Sequence, residues 1–392
     1  MSTRRDFLKQ AGLLGTAAVL SQATGALDFA QTARGAESDL MTSYTVPMNR
    51  IVQQIPPKRT ITIPDVEGFQ VLKGDFHIHT IFSDGSVWPQ ERVVEAVGNG
   101  LDIISITDHI EYRPHVGGNG LKLKDRNDDH NISYEYAKNM AERQGLILVR
   151  GTEITKSTMP PGHFNALFVN DVNPIADVQS DIRKMFEEVV KQGGFLLWNH
   201  PGWEAPKSGG IEPGAPVIFT ETHEEFLKNG WIHGVEAFNC TEFYPVVSNW
   251  CEAKDLAVFT NSDIHPPEFD LYGVRNPCRP ITLVLAKEKT MESAKEAFFA
   301  KRTIGWAANM IVGREQWVRP LFNSCVEIQR NGNKLTLVNK SSIPIQLLYG
   351  NQSPLLGSLG MVDVVLQKGV EKMLAANWFV GMNKSLEMIL EI

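Results

Sequence analysis

The 392-residue sequence has few cysteines. Its four thiols, Cys240, Cys251, Cys278 and Cys325, include no C-x-x-C pair. They are too few and too scattered for a disulfide framework, and they offer no thiolate set for zinc. A basic run is also missing: 38 Lys and Arg stand against 45 Asp and Glu, a formal charge of −7. Such a chain lacks the electrostatic footprint that grips a phosphate backbone, so no nucleic acid polymer is expected as a partner. There is no internal repeat and no low-complexity tract, which excludes solenoids and collagen-like rods. The remainder, 43% hydrophobic and 21% charged, is an ordinary globular composition.

No segment is long and apolar enough to span a bilayer. The first residues nevertheless read as an address. Arg4-Arg5-Asp6-Phe7-Leu8-Lys9 precede a short apolar stretch from Ala11 to Leu20 and then small residues. A positive start, a short apolar core and a small-residue cleavage zone describe a signal peptide, here assigned to residues 1–36. The arginine pair resembles a twin-arginine export signal. The expectation is a bacterial protein exported by that route, periplasmic or secreted, with no membrane span once the signal is removed.

Residues 37–73 are polar and dotted with proline, and read as a surface arm. From Gly74 short apolar runs alternate with helical patterns. Strands are predicted at Asp75–Thr80, Leu101–Thr107, Leu146–Ile154, His163–Val169, Phe195–Asn199, Gly234–Asn239, Leu256–Asn261 and Arg279–Ala286. Helices are predicted at Pro89–Val97, Ser133–Gln144, Val178–Lys191 and Met291–Lys301. This alternation predicts an α/β fold with a mainly parallel sheet or barrel over residues 74–316. Beyond about Arg319 the pattern becomes antiparallel, with alternating strands around Asn331-Gly332, a hairpin signal. Residues 317–392 are expected to form a small antiparallel β-sandwich-like domain.

Histidine placement locates the chemistry. Of ten histidines, His77, His79, His109, His163, His200 and His265 stand at or near strand ends. His77 and His79, two apart on a strand, share one face. Asp263 and His265 repeat that spacing, Asp108 precedes His109, Glu153 closes a strand, and Asp84 lies in the turn Ser83-Asp84-Gly85. Any one of these could be a structural residue. Together, imidazoles and carboxylates are the donor set of zinc, manganese and iron sites. Without a cation, so many buried polar groups would carry large desolvation penalties.

The ordered set Asp75-Phe76-His77-Ile78-His79-Thr80, Ser83-Asp84-Gly85, Thr107-Asp108-His109, Gly151-Thr152-Glu153, Asn199-His200-Pro201 and Ser262-Asp263-Ile264-His265 resembles the motifs of the PHP (polymerase and histidinol phosphatase) superfamily. The resemblance covers Gly74 to Val312. It implies a distorted seven-stranded (β/α) barrel and a metal-dependent phosphoesterase with two or three divalent ions. Carried over by residue, His77, His79, Glu153 and Asp263 would hold one ion. Glu153 would bridge to a second, held also by His163 and His200. Asp84, His109 and His265 would hold a third. Asp108 is expected to support the site from beside His109. The export signal and the added β domain depart from the small members of the family, so a histidinol phosphate substrate does not follow.

The expected reaction is hydrolysis of a small phosphorylated substrate, a monoester first and a diester second, by a hydroxide bridging the Glu153-linked ions. Catalytic candidates are Glu153, Asp108 and, for the leaving group, His115 or Glu111. Arg113, Arg275 and Arg279, with Lys207 and Trp203, are candidates for substrate contacts near the mouth. Two other functions compete. One is an amidohydrolase-type C–N or C–O hydrolase, disfavoured because no lysine stands at a strand end to form a carbamate-type bridge. The other is a metal-loaded binding protein without catalysis, disfavoured by the intact ligand set.

Overall fold

The computed structural model describes residues 59–117, 120–122, 128–156, 160–202, 217–272 and 279–390. The export-type segment, most of the arm, and Trp203, Lys207 and Arg275 lie outside them. Among the described residues no helix is long and apolar enough to cross a membrane.

The short apolar runs become strands: β1 (Gln70–Asp75), β2 (Ile103–Ile106), β3 (Ile147–Ile154), β4 (Phe164–Leu167), β5 (Phe195–Trp198), β6 (Gly234–Asn239), β7 (Glu242–Phe243) and β8 (Ala257–Asn261). Strands β2, β4, β5, β6 and β8 are buried at every position. Burial on both faces is why they read as continuous apolar runs rather than as alternation. The main helices between them are α1 (Pro89–Gly98), α2 (Ile132–Gln144), α3 (Ile182–Lys191), α4 (Glu221–Lys228) and α5 (Val246–Ala253). Helix α1 starts on Pro89 and buries Arg92, Val93 and Ala96, a one-face spacing.

Strands β1, β2 and β3 pair in parallel, as do β5, β6 and β8. The sheet is mainly parallel, as the sequence reading expects, with β4 antiparallel to both β3 and β5. No helix separates β3 from β4, and strands joined without a crossover pair antiparallel. The path β1-β2-β3-β4-β5-β6-β8 is continuous, and the segments that follow its first and last strands pair with each other. Ile78 bridges Ile264 in parallel. The Asp263 N–H donates to the His77 carbonyl at 2.9 Å, and the His79 N–H to the Ile264 carbonyl at 3.0 Å.

On its other side β1 pairs antiparallel with β9 (Ile281–Ala286). The sheet continues through β10 (Thr303–Ala307) and β11 (Met310–Gly313), a hairpin absent from the sequence reading. Helices α6 (Met291–Phe299) and α7 (Glu315–Cys325) flank this hairpin in the chain. Strands β12 (Val326–Asn331), β13 (Lys334–Asn339) and β16 (Met361–Val365) form a separate antiparallel sheet, with Gly332 at φ 62 in the expected hairpin turn. The last strands, β14 (Ile345–Leu348), β15 (Leu355–Leu356), β17 (Lys372–Gly381) and β18 (Lys384–Ile389), take another course. Strand β17 pairs in parallel with β11, matching Ile311 to Trp378, so the larger sheet runs on into the C-terminal region. Leu337, Leu347, Trp378 and Leu386 share one apolar core with Ile304 and Trp306.

Candidate metal centre

The topology gathers the imidazoles. His77 and His79 lie just past the end of β1, on the extension that pairs with the segment after β8. His109 follows β2, His200 follows β5, and Asp263 and His265 follow β8. His163 precedes β4; because β4 runs backwards, its start lies where its neighbours end. A residue opening a strand thus joins residues that close theirs, at the end where α/β sheets place their pockets.

Glu153, fully buried, is the hub. Its Oε2 lies 3.2 Å from His77 Nε2, 3.3 Å from His79 Nε2 and 3.1 Å from His109 Nδ1. Its Oε1 lies 3.0 Å from His163 Nδ1 and 3.6 Å from His200 Nε2. One carboxylate therefore turns each oxygen to a different set of imidazoles. Asp263 Oδ1 stands 3.2 Å from His77 Nε2 and 3.0 Å from His79 Nε2. Asp84 Oδ1 stands 3.1 Å from His265 Nε2 and 3.5 Å from His109 Nε2.

Three groups bring their donor atoms within 4.8 Å of one another: His79 with Asp84, His109 and His265; His77 with Glu153 and His200; and His77 and His79 with Asp263. The side chains expected as ligands, from His77 to His265, come together at this centre. His163 reaches it through Glu153 rather than as a member of one of these groups.

The donor chemistry fits cations. His79 Nε2 and Asp84 Oδ1 are buried and find no hydrogen-bond partner among the described residues, although each lies close to groups of opposite character. Burial alone would raise the Glu153 and Asp263 carboxyls, yet the surrounding imidazoles hold both well below the usual range. Burial would likewise lower His77, but Asp263, Glu153 and Glu236 push it well up. Carboxylates held low by neighbouring imidazoles are the charge environment that a divalent ion would enter. Asp263 and His200 also adopt positive φ, 50° and 22°, a backbone cost of about 1–3 kcal/mol each that concentrates at functional sites.

Several residues with no signal in the sequence build the support. Glu236, buried on β6, accepts from His77 Nδ1 at 3.0 Å, from the His200 N–H at 2.8 Å and from the amides of Asn239 and Asn261. Arg92, buried on α1, donates to the carbonyls of His79 at 2.9 Å and His265 at 2.7 Å, tying two ligand loops to one helix. Gly85 permits the Asp84 turn to pack on the His79–Thr80 backbone, where a Cβ would stand 2.7 Å from His79 C.

The remaining candidates fall elsewhere. Asp108 accepts from the Thr80 N–H, the Thr80 hydroxyl and the Ser83 hydroxyl at 2.6–2.7 Å, so it fixes the His79–Asp84 turn. Glu111 is committed to the Thr155 N–H and to Lys156. His115 is exposed and is not among the described residues lining the cleft. Arg113 donates to the Phe82 carbonyl at 3.1 Å, and it too is not among those lining residues. Arg279, expected at the mouth, is buried instead, with Nη2 2.5 Å from Asp75 Oδ2. A charge deep in the fold needs its partner, and Asp75 supplies it. The cleft above the centre holds about 360 Å³ and is walled by the ligands and by Asn239, Cys240, Thr241 and Glu242.

Imidazoles and carboxylates clustered at one end of a mostly parallel sheet, under a cleft, are the donor set of a metal centre such as metal-dependent hydrolases use. No family model matches the chain, and no curated protein matches it. A solved structure from Bacteroides vulgatus does: a two-domain protein containing a predicted PHP-like metal-dependent phosphoesterase. It is 34% identical, with a TM-score of 0.77 over 86% of this chain and 99% of that one. The chain belongs to this PHP-like metal-dependent phosphoesterase family. Two further structures overlap less: one described as a metal-dependent phosphoesterase from Bifidobacterium adolescentis (16% identity, TM-score 0.36, 49% of this chain and 87% of that one) and an amidohydrolase from Chromobacterium violaceum (14%, 0.35, 50% and 89%).

Proposed function

We propose that the chain hydrolyses a phosphate ester, a monoester in the first place and a diester in the second, using two or three divalent ions of the zinc, manganese or iron type. The observation that supports this most is Glu153, whose two oxygens face separate imidazole sets. His77, His79 and Asp263 would hold one ion, His163 and His200 a neighbour shared through Glu153, and Asp84, His109 and His265 a third. When bound, such ions supply Lewis acidity, activating water and neutralising charge that develops on phosphoryl oxygens.

The protein's own groups do the positioning. Glu236 holds the His77 proton on Nδ1, which turns Nε2 toward the carboxylates. Asp108 and Arg92 fix the loops that carry His79, Asp84 and His265. Closely set, rigid donors place the reacting atoms with little reorganisation. The twin-arginine-type start supports action outside the cytoplasm, in the periplasm or beyond.

The test combines a metal inventory by mass spectrometry with a panel of phosphomonoesters, phosphodiesters and one cyclic amide. His77→Ala and Asp263→Ala, shown to be folded by circular dichroism, should lose bound metal and turnover together. Full activity in either variant refutes the assignment, and turnover of the amide alone points to C–N hydrolysis.

A further inference from the structure

The cleft wall formed by Asn239, Cys240, Thr241 and Glu242 belongs to none of the ligand groups. It is the tight turn between β6 and β7, in which Asn239 and Glu242 face each other across the strands. Cys240 takes φ 51 and donates its N–H to the Asn261 carbonyl at 3.2 Å. Tyr244, buried, donates its N–H to the Ala237 carbonyl at 2.8 Å and its hydroxyl to the Glu242 carboxylate. The turn is therefore braced on both sides.

Glu242 is an odd residue for this place. No lysine or arginine is among the described residues lining the cleft, and Tyr244 is the hydrogen-bond partner found for Glu242. A carboxylate beside a phosphate site repels the substrate unless it meets a donor on it. Tyr244 already donates to one of its oxygens, which orients the group. Thr241, exposed next to it, adds a hydroxyl that both gives and accepts, and Asn239 adds an amide.

Resting on the phosphoester reading above, we infer that Glu242, with Thr241, accepts a free hydroxyl of the leaving group, so that the substrate is the phosphate of a polyol or sugar rather than of a simple aryl alcohol. Glu242 is then a specificity residue and Tyr244 its positioning residue. Neither belongs to a ligand group, so neither should alter the metal content.

The experiment uses the full chain supplied with manganese and compares glycerol phosphate, phosphoethanolamine and 4-nitrophenyl phosphate. In Glu242→Ala the kcat/KM ratio of glycerol phosphate to 4-nitrophenyl phosphate should fall by about tenfold or more, since a site built to bond a hydroxyl depends on that bond. The fall should appear in KM, with bound metal as in the wild type, and Tyr244→Phe should move the ratio in the same direction. A smaller fall, or one carried by kcat alone, overturns the inference. A fall seen with phosphoethanolamine and not with glycerol phosphate overturns the hydroxyl assignment. Wild-type protein inert toward all three esters overturns the phosphoester reading and this inference with it, a result distinct from wild-type turnover with an unmoved ratio. Should Glu242→Ala not fold, Tyr244→Phe and Thr241→Val decide by the same ratio.

Discussion

Glu236 accepts a hydrogen bond from His77 Nδ1 at 3.0 Å, with both side chains fully buried. The same carboxylate also receives the His200 N–H and two asparagine amides. It thus orients a ligand on one side of the centre and the backbone of another ligand on the other. Carboxylates behind metal-bound imidazoles fix the tautomer and raise ligand basicity.

Glu236→Gln should therefore weaken metal binding by about 10–100-fold while the fold persists. The new amide must also place an N–H₂ against existing donors, at a stability cost of about 1–3 kcal/mol. Metal titration followed by calorimetry measures the first effect and denaturant unfolding the second. Unchanged affinity would remove Glu236 from the site's supporting structure.

Arg279 and Asp75 form a buried pair beneath the centre, and Asp75 also accepts from the Ser262 N–H at 3.2 Å, one residue before Asp263. Arg279→Leu leaves the Asp75 charge uncompensated, and the expected loss is about 3–5 kcal/mol. Urea unfolding of the two proteins checks it. A loss below about 1 kcal/mol would mean that Asp75 is served by other donors.

Divalent ions should stabilise the fold itself. At a free concentration one hundred times Kd, one site contributes about 2.7 kcal/mol. The unfolding midpoint of chelator-treated protein should rise on adding manganese or zinc, and this rise should shrink in Asp263→Ala. An unmoved midpoint in the wild type would argue against a preformed centre.

Acid should act through His223. Its Nε2 lies 2.9 Å from the Pro161 carbonyl, and its Nδ1 accepts from Thr220, an arrangement that suits the neutral ring. Burial lowers its pKa to about 4, against about 6.5 in an unfolded chain. Between these values the unfolded chain binds a proton that the folded one refuses, so stability falls as pH drops from 6.5 to 4. The linked loss approaches about 3 kcal/mol at the lower end. Unfolding free energies of wild type and His223→Phe across that window test it; equal slopes would show that His223 does not contribute.

Most ligands were legible because their signal is local. His77-Ile78-His79 and Asp263-Ile264-His265 show in a few adjacent residues what a metal needs. The supports were not legible. Glu236 reads as one acidic residue in a buried strand, Arg92 as a surface charge on a helix, and Arg279 as a cation near a mouth. The hairpin Thr303–Ala307 and Met310–Gly313 leaves no sequence signal because its turn, Ala308-Asn309, takes positive φ without a glycine, and the pairing between β11 and β17 joins residues far apart in the chain.

Residue type and short spacing by themselves determined the donor set, the strand-and-helix alternation and the class of chemistry, since ligand preference is a property of the side chain and burial leaves a periodic trace. Only the tertiary structure decided which charge meets which. His77 and Glu236 are 159 residues apart, and Asp75 and Arg279 are 204 apart. Long-range strand pairing sets such meetings, and no local pattern records the register at which two distant strands settle.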